Sequence, residues 1–281
     1  MNGELLKRVT ESFVPSLLVD FDWGDIWERP IESGTAFEWS VFASLIFTLE
    51  INGWEYEFPL KNVPGGSNLF LNRNEIPLQH GAQAGHSSNA LQETSLSNKF
   101  IQSLIPKAVI RRGDRTYSIF REGLPYHRIM TRNDYFDRPD IIIIPGAPSK
   151  DYPMYDIDRN EVSFSFDFSE EKSLSGLLRV VNSPIIPCKR RTPKSGMLVP
   201  VHGVIECSVN KTAKIAKAQL EKYSEIFGIE NRHNALITGN EITEEFPYLK
   251  SDVDINSQDL EVIQKGLIEA AAKVLSQFGL I

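Results

Sequence analysis

The stretch Arg-Pro-Asp-Ile-Ile-Ile-Ile-Pro-Gly at 138–146 decides how the chain is read. A short β-branched apolar run closed off by proline and glycine predicts a buried strand, and Asp140 stands at its mouth. A second run, Val-Ile-Glu-Cys-Ser-Val at 204–209, places Glu206 inside another such strand, ahead of a lysine-rich helical segment. Burying a carboxylate costs several kcal/mol unless it is paired or coordinates a cation. Two acids on neighbouring central strands oppose each other's ionisation unless a divalent cation lies between them. Asp140 and Glu206 are therefore the first candidates for a metal site.

Composition sets the outer bounds. A chain of 281 residues is long enough to bury a full core as one large domain or two small ones. No apolar run is long enough to span a bilayer, and the N-terminal residues lack a signal-peptide core. Cys188 and Cys207 give no disulfide framework, so the expectation is a cytoplasmic protein with no membrane partner. The net charge of −7 argues against indiscriminate coating of nucleic acid, but it leaves room for a local basic cleft.

Residues 1–33 carry no clean period and suggest one short helix. Thr35 and Glu38 have capping-box spacing, and 39–49 is apolar on most sides, which predicts a buried helix ended by Gly53. Residues 54–58 alternate as a strand. The segment 60–95 is loop-rich, with a Gly/Ser/His-containing stretch at 79–89, and a helix is expected over 91–105 up to Pro106. A Pro/Asp/Tyr-rich turn is expected at 145–158, and a half-buried strand from Val162 to Phe168. A proline-punctuated basic loop follows at 183–196. Residues 212–227 read as a helix with Ala216, Leu220, Tyr223 and Phe227 on one stripe and Gly228 as its C-cap. A strand at 234–238 and a helix capped by Ser257 and running to Phe278 complete the chain. This order predicts one α/β domain over 1–281, with a mixed central β-sheet flanked by helices.

Positive charge concentrates in two places. Residues 107–138 include Arg111, Arg112, Arg115, Arg121, Arg128 and Arg132, with Tyr117, Phe120 and Tyr126 interleaved. The second cluster is Lys189, Arg190, Arg191 and Lys194. Arginine suits bidentate phosphate binding and base-edge recognition, so both segments are candidate DNA contacts. A solvated surface with local ion pairs is the plainer alternative. The aromatic residues could stack on bases, although core packing is the simpler reading.

Taken together, the buried helix with Glu38, the Pro139-Asp140 dipeptide opening an apolar strand, and the Glu206 strand followed by Gln219-Leu-Glu-Lys-Tyr223 resemble the PD-(D/E)XK nuclease superfamily, especially type II restriction endonucleases. The resemblance covers 33–58 and 136–240 and implies a restriction-endonuclease-like core, with 60–135 as a DNA-contacting insertion. It further implies hydrolysis of phosphodiester bonds in double-stranded DNA, with Mg²⁺ held by Asp140, Glu206 and the Cys207 carbonyl. Glu38 would be a further acid, Gln219 and Tyr223 would support the site, and two protomers would form a homodimer. The physics agrees with such a site: hard Mg²⁺ takes carboxylate and carbonyl oxygens, and a nearby ammonium stabilises developing charge.

One departure from the family pattern concerns the lysine that normally lies two residues after the second acid. Ser208 occupies that position, on the same strand face as Glu206. Lys211 at the strand-to-helix junction is the first substitute and Lys214 the second. The helix lysines also fit a solvated face, and Glu38 fits a capping role alone. His80 and His86, in the Gly/Ser-containing stretch, make a weak metal pair. Two other functions stay open: a non-catalytic nucleic-acid-binding or assembly protein on the same fold, and a structure- or modification-specific nuclease.

Overall fold

The computed structural model describes residues 3–14, 33–58, 106–121, 139–148, 154–156, 161–167, 176–181, 201–209, 213–227, 229–239 and 246–281. In chain order these form α1 (Gly3–Phe13), α2 (Ser33–Ile51), β1 (Glu55–Glu57), β2 (Ala108–Arg112), β3 (Arg115–Arg121) and β4 (Ile141–Pro145). Next come β5 (Ala147–Pro148), β6 (Met154–Asp156), β7 (Glu161–Asp167), β8 (Gly176–Val181) and β9 (Gly203–Ser208). The chain closes with α3 (Ala213–Phe227), β10 (Asn234–Thr238), β11 (Leu249–Asp252) and α4 (Leu260–Gln277).

Among the described residues the main sheet is seven-stranded, in the order β1-β2-β3-β4-β9-β10-β11. Pairing is antiparallel from β1 through to β9 and parallel from β9 to β11, so the sheet is mixed. The parallel step from β9 to β10 is made through α3, as a parallel pair requires a crossover. The isoleucines of β4 show why the strand has no polar alternation. Ile141 and Ile143 join the core shared with α1, α2 and α4, while Ile142 and Ile144 pack under α3 with Val204, Leu220, Tyr223 and Leu236. A strand covered on both faces must be apolar on both. A second, four-stranded sheet pairs β5, β6 and β8 with β7.

Helix α2 is buried nearly all round, as its apolar composition predicts. It ends where Gly53 takes φ +81°, with Trp54 N–H donating to the Leu49 carbonyl and Gly53 N–H to that of Glu50. This is a Schellman closure, which favours glycine because a Cβ is strained at positive φ. On α4, whose core face the sequence assigns to Leu260, Ile263, Leu267, Ala271 and Val274, the last four are buried and Leu260 is partly buried.

Several boundaries differ from the sequence reading. Helix α2 starts at Ser33, so Thr35 and Glu38 lie within it rather than Thr35 preceding it. The cap of α4 is Asp259, whose carboxylate accepts from Glu261 N–H, while the Ser257 hydroxyl accepts from Asp259 N–H one step earlier. Replacing Asp259 by Ala is expected to cost about 1 kcal/mol in urea unfolding, and Ser257→Ala less. Residues 108–121 belong to the core sheet rather than to an insertion, since β2 and β3 continue it outward from β4. The turn expected at 145–158 contains β5 and β6, and β8 and β11 have no counterpart in the sequence reading. The stretch 79–89, the helix expected over 91–105, the loop at 183–196 and Gly228 lie outside the described residues.

Candidate functional site

Strands β4 and β9 are antiparallel neighbours at the centre of the main sheet, with Ile141 opposite Ile205 and Ile142 opposite Val204. The pairing ends there: Asp140 immediately precedes Ile141 and Glu206 immediately follows Ile205, so the two acids adjoin where the ladder stops. Glu206 is on the face covered by α3, because Val204, two residues before it on the same strand, packs there. Both acids are buried, Glu206 completely and Asp140 to 9% exposure.

A hydrogen bond independently ties the two segments together: Cys207 N–H donates to Asp140 Oδ2 at 2.7 Å. The N–H and C=O of a strand residue project to the same side, so the Cys207 carbonyl also faces the β4 edge, beside Asp140. The adjacent Ser208 carbonyl turns the other way and accepts from Gly239 N–H at 2.8 Å. Thus Asp140, Glu206 and Cys207 lie at one corner of the sheet, where β4 begins and β9 ends. Carboxylate and carbonyl oxygens are hard donors, and the set fits a magnesium-class ion rather than a thiophilic one. Among the described residues no three His, Cys, Asp or Glu side chains form a metal-holding cluster. A cation here would therefore complete its shell from the backbone carbonyl, water and phosphate.

Other candidates fall around this corner or away from it. Ser208 is buried on the Glu206 face, at 2% exposure. Helix α3 lays Ala216, Leu220 and Tyr223 on the sheet. Tyr223 is fully buried there, and Gln219 flanks it with a buried Oε1 that accepts no hydrogen bond among the described residues. Lys214 is exposed, and at two residues from Ala216 it lies about 200° around the helix from the sheet-facing stripe. Lys211 lies outside the described residues, as do Arg128, Arg132, Lys189, Arg190, Arg191 and Lys194.

Glu38 comes from the opposite side of the sheet. Its Oε2 accepts from Arg121 Nη2 at 2.5 Å, with the two side chains only 14% and 7% exposed. The Arg121 guanidinium also stacks over Trp39, 4.5 Å from the ring centroid. Arg121, counted in the sequence only as part of a basic run, is thus a buried structural cation. Its partner lies 83 residues away, a separation that no local motif could reveal.

Of the basic run, Arg111, Arg112 and Arg115 do not flank the acids. Arg111, Arg112 and Arg115 sit where β2 turns into β3, and β3 ends at Arg121, beside Ile141. Six residues of strand separate Arg115 from that end, about 20 Å at the usual rise. Arg111 pairs with Glu57 at 2.8 Å, while Arg115 donates to the Gly279 carbonyl and lies over the rings of Trp54 and Tyr117. Local pairing accounts for both. Tyr117 and Phe120 are buried in the core, and Tyr126 lies outside the described residues.

No helix among the described residues is long and apolar enough to cross a membrane. No family model matches the chain, and no curated protein or solved structure is significantly similar to it.

Proposed function

We propose that the chain is a Mg²⁺-dependent endodeoxyribonuclease with a restriction-endonuclease-like core, acting on double-stranded DNA as a cytoplasmic homodimer. The observation that carries this reading is the two buried acids where the β4–β9 pairing ends, with Asp140 accepting from Cys207 N–H, the residue after Glu206. The order of elements supports it as well: a buried helix, an antiparallel run into the Asp140 strand, the Glu206 strand, then a helix and a parallel strand. When bound, Mg²⁺ supplies positive charge to a phosphoryl group and acidity to an attacking water, effects worth several kcal/mol.

The chain's own groups do the rest. Asp140 and Glu206 hold the cation, and the Cys207 carbonyl offers a neutral ligand beside them. Cys207 N–H fixes which Asp140 oxygen faces the strand. Helix α3 closes the Glu206 side against bulk water, which strengthens every charge interaction at the corner. Two protomers would bring one such corner to each strand of a symmetric DNA site.

A second reading has its own support: Ser208 stands where an ammonium would serve, and Lys214 points away from the sheet. That arrangement suits a protein that binds nucleic acid without cutting it. Incubating the full chain with a panel of plasmids and Mg²⁺ separates the two. Discrete fragments are expected, lost on chelation and lost in Glu206→Gln. Salt-sensitive binding with no fragments in Mg²⁺ or Mn²⁺ on any substrate would replace the nuclease with the binder.

A further inference from the structure

We infer that Glu38 is a positioning residue acting through Arg121, and not a third acid at the cation. The inference rests on the nuclease reading of the Asp140–Glu206 corner. Strand alternation puts Arg121 on the face of Ile119 and Ile141, which pack with α2, whereas Glu206 belongs to the α3 face. Glu38, from α2, meets the guanidinium on that same α2 face, and the ring of Trp39 at the next position lies under it. A buried carboxylate in a charge-assisted bond of this kind already has its charge matched. Drawing a divalent cation to it would set that cation against the Arg121 guanidinium as well.

What the pair does follows from where it sits. Arg121 is the last residue of β3, and its cross-strand partner is Ile141, the residue after Asp140. The Glu38–Arg121 contact therefore clamps α2 to the point at which the chain enters β4. That entry sets how Asp140 approaches Cys207 N–H, and small displacements of a catalytic group are costly in rate. The pair thus acts on the orientation of Asp140 while leaving the cation's ligands unchanged.

The test uses the purified full chain, with Mn²⁺ affinity followed by electron paramagnetic resonance and plasmid cleavage followed at saturating Mg²⁺. All variants are assayed at a temperature where circular dichroism shows them folded. Glu38→Gln and Arg121→Gln are each expected to keep Mn²⁺ affinity within about threefold and to cut at least about tenfold more slowly. The double variant should be about as slow as the slower single one, because both changes break one contact. Arg121→Lys keeps the charge but loses the planar fork. It should recover part of the rate lost in Arg121→Gln when Glu38 is present, and none when it is combined with Glu38→Gln.

Loss of Mn²⁺ affinity in Glu38→Gln comparable to that in Asp140→Asn would make Glu38 a ligand and overturn the inference. Multiplicative rate losses, or unchanged rates in the folded variants, would overturn it too. A wild-type chain that neither binds Mn²⁺ nor cleaves would sink the nuclease reading and this inference with it, an outcome visible before any variant is made.

Discussion

Asp140→Asn is expected to lower Mg²⁺-dependent DNA cleavage by about 10³-fold or more while leaving the unfolding midpoint close to wild type. The Asn side chain has the shape of Asp, and its amide oxygen can still accept from Cys207 N–H, so the bond that joins β4 to β9 survives. What disappears is the negative charge. Asp140→Ala removes the acceptor as well, and leaves a buried Cys207 N–H to be satisfied elsewhere. That variant should lose activity to the same degree and also about 1–3 kcal/mol of stability. Steady-state cleavage assays and urea unfolding on the two variants separate charge from hydrogen bond. Residual cleavage near the wild-type rate in Asp140→Asn would remove Asp140 from the metal set. Equal stability of the two variants would mean that the hydrogen bond to Cys207 contributes little to the fold.

The centre of the fold is legible in the sequence, and its edges are not. Ile141 to Ile144 could only be a strand with both faces covered, and the structure divides these residues between two cores. Gly53 is legible for a similar reason, since a helix exit at positive φ strongly favours glycine. Strands β2 and β3 escape notice because Arg111, Arg112 and Arg115 crowd the turn between them, so the stretch reads as a basic surface rather than a paired sheet. Strand β11 carries Lys250 and Asp252 on a sheet edge and shows no apolar alternation.

Within the site, the two acids could be named because each sits in or at a β-branched run. Their mutual register could not, since the contact spans 67 residues and depends on strand order. Arg111, Arg112 and Arg115, candidate DNA contacts in the sequence, lie at the other end of β3 from the acids. Spacing along a chain says nothing about which end of an antiparallel strand a residue occupies. Glu38 has capping-box spacing from Thr35, yet the helix begins before Thr35 and the carboxylate turns to Arg121 instead. A local motif was present, and a distant cation outcompeted it.

The far end of β9 carries the largest stability prediction. Phe278 is buried at 3% exposure, stacked on His233 and edge-on to His202, and its ring fills the space above Gly203. The chain around it is held by donors from three separate segments. His202 Nε2 donates to the Phe278 carbonyl at 2.8 Å, Arg115 to that of Gly279 at 2.8 Å, and Trp54 Nε1 to that of Leu280 at 2.9 Å. Phe278→Ala is expected to cost about 3–5 kcal/mol, because the anchored backbone keeps the vacated space from closing. Gly203→Ala should cost about 1–3 kcal/mol for the converse reason, since the added methyl would run into the Phe278 ring. The two changes should not add. With the ring gone, a methyl at 203 occupies part of the cavity, so the double variant should be more stable than the sum of the singles predicts. Urea unfolding of the four proteins measures that coupling. Strict additivity would mean that Phe278 does not sit over Gly203, and that β9 is held in place at this end by something other than the last turn of the chain.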